Sequence, residues 1–191
     1  MEFIKQAVPE VLLLKPKVFG DERGYFVETF RQDALEKALG YQVNFVQDNE
    51  SKSSYGVLRG LHYQSPPFAQ SKLVRVVEGK VLDVAVDIRY GSPTFGQAVT
   101  AVLSSENKHQ LFVPRGFAHG FVVLSPTAIF AYKVDNYYAP DHDFGLAYDE
   151  PSLGIEWQIA SDSVSLSEKD KNQPGLADLP CHFEYGVNYY G

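Results

Sequence analysis

Apolar positions along this chain recur in short alternating runs broken by turn residues, a period of two rather than 3.6. Such runs fall at 11–14, 25–30, 43–47, 56–63, 71–77, 80–88, 97–103, 110–113, 119–124 and 128–134, and each predicts a strand. Gly79 stands between two of them and predicts a hairpin turn. Tyr90–Gly96 and Pro114–Gly116 are further breaks. Only Asp33–Leu39 predicts a helix, with Gly40 as its stop. Ser167–Asp170 has an N-cap residue and early acids, which predicts one short helical turn. Many strands with so little helix predict an antiparallel sandwich or barrel. No internal repeat or low-complexity linker divides the chain. The aromatic end, Tyr189-Tyr190, predicts a tail packed on the body.

Composition narrows the class. A chain of 191 residues is long enough for a real core and fits a single domain, 1–191. Thirteen Phe and twelve Tyr favour strands. A net charge of −7 argues against nucleic acid, which needs a basic face. An anionic small molecule needs only a local cluster of cations. Cys181 is the only cysteine, so no disulfide forms within the chain, and a reducing, cytoplasmic setting is expected. The start, Met-Glu-Phe-Ile-Lys-Gln, lacks the pattern of a signal peptide. Runs such as Val11–Leu14 are far too short to span a bilayer, so no membrane association is expected.

The candidate chemistry centres on Gly56-Val-Leu-Arg-Gly-Leu-His62-Tyr-Gln and on Lys72 in the next strand-like run. A base, an anion clamp and an ammonium on neighbouring strands suit proton abstraction beside a carbonyl on an anionic substrate. Strict alternation puts Leu58, Gly60, His62 and Gln64 on one face, with Arg59 and Leu61 on the other. For Arg59 and His62 to serve one site the strand must bend, and Gly60 permits a bulge there. Asp83, Ala85 and Asp87 share a face, and a carboxylate inside a small barrel needs a partner. His62, Lys72, Arg59 and Arg75 are all open partners for Asp83, and Asp170 is a second candidate to orient His62. Tyr132 and Tyr138 are candidate acids among twelve tyrosines that mostly pack. Gln47-Asp-Asn49 reads by itself as a turn cluster ahead of a Ser-rich loop.

Val113-Pro-Arg-Gly-Phe-Ala-His119-Gly resembles the second signature of cupin jelly rolls. The spacing Gly56-(x)5-His62 matches the first signature, but Gln64 replaces its second histidine and Lys72 stands where an acidic ligand is expected. An ammonium repels a divalent ion, so the expectation is a cupin fold without its metal.

A longer set of ordered segments resembles the dTDP-4-dehydrorhamnose 3,5-epimerase family. It includes Gly20–Glu28, Gln47–Ser51, Gly56–Gln64, Lys72–Val76, Gly79–Arg89, Ser92–Gly96, Pro114–Phe121 and Leu166–Asp170. The resemblance implies an all-β, cupin-like antiparallel jelly-roll barrel with a few short helices. It implies an isomerase that inverts C3 and C5 of dTDP-4-keto-6-deoxyglucose without metal or organic cofactor. Alternatives are a mono-epimerase of a related dTDP-ketosugar, a metal-dependent cupin enzyme and a non-catalytic sugar-binding barrel. The resemblance makes His62 the base, Asp170 its orienter, Tyr132 the acid and Lys72 the enolate-stabilising cation. It gives Arg59 the diphosphate, and Phe26 and Tyr138 the thymine. Arg23, Glu28, Gln47, Asp48, Asn49, His119, Asp143 and Lys169 match its other substrate contacts. Asp143 replaces the usual Glu. The partner implied is a second copy, with an N-terminal arm of about residues 1–40 crossing between the subunits of a homodimer.

Overall fold

A computed structural model describes residues 1–190. Two antiparallel sheets face each other. Strands are numbered in chain order. The first sheet has six strands in the order β1 (Glu2–Lys5), β2 (Leu12–Lys15), β10 (Gln110–Val113), β7 (Lys72–Glu78), β12 (Thr127–Val134) and β5 (Gln47–Ser54). The second has five, in the order β13 (Asp143–Gly145), β6 (Leu58–Gln64), β11 (Phe117–Val123), β8 (Lys80–Asp87) and β9 (Ala98–Ser104). A separate hairpin pairs β3 (Val18–Asp21) with β4 (Gly24–Val27). The one α-helix among the described residues, α1, spans Gln32–Leu39 and stops at Gly40, whose left-handed backbone donates to Glu36 O at 2.8 Å.

Alternation sorts side chains into three apolar layers. Val74, Val76, Val81, Ala85, Leu111, Phe121 and Phe130 fill the space between the sheets. Leu58, Leu61, Leu82, Val84, Val86 and Val122 face outward from the second sheet, under loops that bring Leu153, Trp157 and Tyr189. Leu12, Leu14, Leu73 and Phe112 face outward from the first sheet, where Leu35 of α1 covers them. Strand β8 is buried on both faces after its first residue because it lies between two of these layers. Burying one large apolar side chain fully stabilises the fold by roughly 1.5–3 kcal/mol.

Several sequence expectations need correction. Residues 43–46 form no strand; the strand begins at Gln47 and runs to Ser54. Gln47–Asn49 is therefore not a turn, nor is the serine-rich stretch a loop. Residues 28–30 lie beyond the end of β4. Gly79 does turn the chain, with φ of 79°, but β7 and β8 do not pair. The corner carries the chain from one sheet to the other. Short strands β1, β3 and β13 add to those expected.

Candidate active site

The two sheets leave a cavity of about 450 Å³ at one end of their shared core. Arg59, His62, Lys72, His119, Tyr132 and Asp170 all line it. Arg59, His62 and His119 come from the second sheet, and Lys72 and Tyr132 from the first. The bend expected at Gly60 is present. His119 pairs with His62 and Phe121 with Arg59, so two steps on β11 match three on β6. The extra residue reverses the alternation. Leu58 and Leu61 both face the outer layer, while Arg59 and His62 both face the cavity. Gly60 has φ of 131°, and a Cβ there would lie 2.5 Å from Gly120 Cα.

Asp170 settles which acid meets His62. Its Oδ1 lies 2.5 Å from His62 Nε2. Ser167 Oγ donates to Asp170 Oδ2 at 2.8 Å and accepts from the Asp170 N–H at 3.2 Å, which fixes the carboxylate on its helical turn. Burial works to raise the Asp170 carboxyl, but hydrogen bonds from His62 and Ser167 outweigh it and hold the group below its ordinary value. An ionised Asp170 keeps the proton on Nε2 and leaves Nδ1 of a neutral His62 as the basic nitrogen.

Asp83 pairs elsewhere. Its two oxygens lie 2.9 and 3.1 Å from His119 Nε2, beneath the cavity. Burial raises the Asp83 carboxyl and lowers the His119 imidazole. Burial also pushes the Lys72 ammonium down to about 8, against the opposing charges of Asp143 and Asp83. Lys72 Nζ donates to His62 O at 3.5 Å. Burial raises the Tyr132 phenol, so this group is a proton carrier at neutral pH. Arg59 Nε donates to Ser53 Oγ at 3.1 Å.

A smaller space of about 260 Å³ shares His62, Lys72 and Tyr132 with the first and adds Gln47, Asn49, Tyr138 and Asp143. Asp143 Oδ2 accepts from Tyr138 OH at 3.2 Å and from Lys169 Nζ at 2.5 Å. Asp48 is turned to the outer face by the alternation of β5, where it pairs with Lys133 at 2.9 Å.

A cupin-type metal does not fit these side chains. Gln64, at a ligand position, donates its amide to Phe68 O and Tyr137 O and accepts from Ala139 N–H. The described residues contain no group of three His, Cys, Asp or Glu side chains suited to hold an ion.

Residues 5–178 match the dTDP-4-dehydrorhamnose 3,5-epimerase family. A curated epimerase of that name from Shigella flexneri is 54% identical over 178 residues, 93% of this chain and 97% of the relative. One from Salmonella typhimurium is 55% identical over 176 residues, covering 92% and 96%. This chain belongs to the dTDP-4-dehydrorhamnose 3,5-epimerase family. The fold agrees with that of a Legionella pneumophila dTDP-6-deoxy-D-glucose-3,5-epimerase, solved in complex with dTDP-4-keto-L-rhamnose. Its TM-score is 0.93 at 48% identity, over 97% of this chain and 99% of that one. A 3'-monoepimerase from Streptomyces bikiniensis, solved with dTDP-quinovose, gives 0.83 at 33% identity, over 90% and 86%.

Some residues that family resemblance assigns to the substrate do not line the cavity of the single chain. Arg23 and Phe26 sit on the exposed β3–β4 hairpin, with Glu28 just past it. Arg23 is bonded to its neighbour Asp21 at 2.5 Å and its side chain is 85% exposed. Sequence reasoning missed Ser51, Phe121 and Phe130 as residues of the site's walls and Ser53 as the partner of Arg59. Phe121 and Phe130 had a signal in the alternation of their own strand runs, where they share a face with His119 and Tyr132, whereas the all-polar run of β5 gave none for the two serines.

Proposed function

We propose that this chain inverts C3 and C5 of dTDP-4-keto-6-deoxyglucose by proton removal next to the C4 ketone. The observation that carries this reading is the placement of His62 and Tyr132 on opposite sheets with Lys72 beside them. Both carbons are α to one carbonyl, so one cation serves both enolates. Inversion needs removal on one face and delivery on the other. His62, oriented by Asp170, takes the proton, and Tyr132 returns one from the far side. Lys72 holds the enolate oxygen, a contribution on the order of 3–4 kcal/mol for a well-placed donor. Arg59, steadied by Ser53, offers positive charge to the diphosphate, and His119 offers a hydrogen bond. Gln47, Asn49, Tyr138, Asp143 and Lys169 hold the remainder, with Asp48 acting from the outer rim. No metal or organic cofactor enters these steps.

Arg23, Phe26 and Glu28 complete a neighbour's site in a homodimer with crossed N-terminal arms. The exposed aromatic surface of that hairpin supports this, with Phe26 68% exposed and Tyr25 61% exposed. No helix among the described residues is long and apolar enough to cross a membrane, and a nucleotide-sugar substrate suits a cytoplasmic site of action. Proton NMR of the ketosugar with enzyme in heavy water tests the reading. Deuterium is expected at C3 and C5 with formation of the L-rhamno product. Exchange at one carbon alone would instead assign a mono-epimerase, and no exchange would refute the proposal.

A further inference from the structure

Lys72 is the first residue of β7 and lies in register between Val113 of β10 and Val134 of β12. Just beyond these three strand ends stand Ser71, Arg115 and Asp135, and they are bonded together. The Ser71 N–H donates to Asp135 Oδ1 at 2.5 Å, and Arg115 Nε donates to Asp135 Oδ2 at 3.1 Å. Ser71 is wholly buried. The C-terminal segment, beyond the family match that ends at residue 178, closes this cluster. The Arg115 N–H donates to the Tyr190 hydroxyl at 3.1 Å and Tyr41 OH donates to it at 3.3 Å. Ser71 Oγ lies 2.8 Å from the same hydroxyl. A phenol has one hydrogen and two acceptor sites. With both sites taken, the Tyr190 hydrogen goes to Ser71. Arg115 Nη1 also donates to Tyr189 O at 2.5 Å, and its guanidinium lies 5.1 Å from the Tyr190 ring centre.

We propose that Tyr190 is a positioning residue for Lys72, its hydroxyl fixing Ser71 and thereby the first residue of β7. The inference rests on the reading of Lys72 as the enolate-stabilising cation. Ser71 is held from two directions, by Asp135 through its backbone and by Tyr190 through its hydroxyl. Losing one hold lets the start of β7 shift relative to His62 while the strand stays paired. Misplacement of about 1 Å can cost ~100-fold in rate, so a partial loss is the expectation.

The test is a double-mutant cycle between Tyr190→Phe and Lys72→Met, read as kcat, KM, solvent-deuterium washout and melting temperature. Tyr190→Phe alone is expected to lower kcat about tenfold with KM little changed, a fraction of the loss that full misplacement brings. In the Lys72→Met background it is expected to add no further loss, because the group it positions is gone. Ser71→Ala should reproduce the Tyr190→Phe effect and not add to it. Equal losses from Tyr190→Phe in both backgrounds, or a kcat loss that only follows melting temperature, would show a merely structural tail. Wild-type kcat in Tyr190→Phe beside an inactive Lys72→Met would overturn the strap and spare the reading of Lys72. Wild-type turnover in Lys72→Met would overturn both.

Discussion

His62 and Tyr132 approach the cavity from different sheets, so their loss should have different consequences. His62→Ala removes the base and is expected to slow both deuterium washout and epimerisation by about 10²–10⁴-fold, the loss that goes with a general base. Tyr132→Phe keeps the ring and its packing. The enolate then forms and is reprotonated by His62 on the original face. Washout at C3 or C5 is expected to persist while inversion falls sharply, as NMR in heavy water would record. Full inversion in Tyr132→Phe, or washout at the wild-type rate in His62→Ala, contradicts these roles. The Lys72 value of about 8 sets a pH dependence. Lys72 is charged below that pH and loses its charge above it, so kcat should fall as pH rises through the region. Asp143 is the foremost group holding that proton on. Asp143→Asn should therefore move the alkaline limb of the kcat profile to lower pH; an unmoved limb means another group sets it. The residue types of this site were legible from the motifs, but their pairing was not. By spacing alone Asp83 and Asp170 were equal candidates for His62, because neither strand register nor the position of the 167–170 turn is written in local spacing; only the family resemblance favoured Asp170, which is the acid that meets His62.

At the scale of elements, β6 shows how one residue builds the site. A regular strand would send Arg59 and His62 to opposite faces. The bulge at Gly60 and Leu61 aims both at the cavity. Gly60→Ala meets two obstacles, a φ of 131° and a Cβ placed 2.8 Å from His119 O. A non-glycine residue in such a conformation costs about 1–3 kcal/mol before any clash. Urea unfolding should show a loss of at least that size, and the surviving folded enzyme should have lost most of its activity. Wild-type stability in Gly60→Ala would show that the two strands part easily. The bulge was legible because Gly60 sits between two residues that one site needs. The strand β5 was not, because Gln47–Ser54 has no apolar residue. Its inner face borders a polar cleft and its outer face is exposed, so hydrophobic periodicity carries no signal for it. Pairing with β12 alone makes it a strand. The Gly79 corner misled for a related reason, since a tight turn between two strands looks the same whether they pair or diverge to facing sheets.

At the scale of the whole molecule, the hairpin β3–β4 is the part that one chain does not explain. Its aromatic residues are exposed, and neither Arg23 nor Glu28 lines the cavity that family resemblance gives them to. The proposed second copy would account for both facts, with a mass by light scattering of about twice 21.4 kDa expected for a two-fold dimer. Mass alone does not show that the arm works in the neighbour's site, but mixing two inactive variants does. Let one variant carry Arg23→Ala and Glu28→Ala, with an intact His62. Let the other carry His62→Ala, with an intact arm. If each arm serves the partner, a mixed dimer holds one site with a good base and a good arm. Random re-pairing after mild unfolding then restores about a quarter of the wild-type sites, because half the dimers are mixed and each has one complete site. If the arm serves its own chain, every site in the mixture lacks either arm or base, and activity stays at the level of the separate variants. Absence of restored activity, with mixed dimers confirmed by tagged-chain capture, would refute the crossed arm.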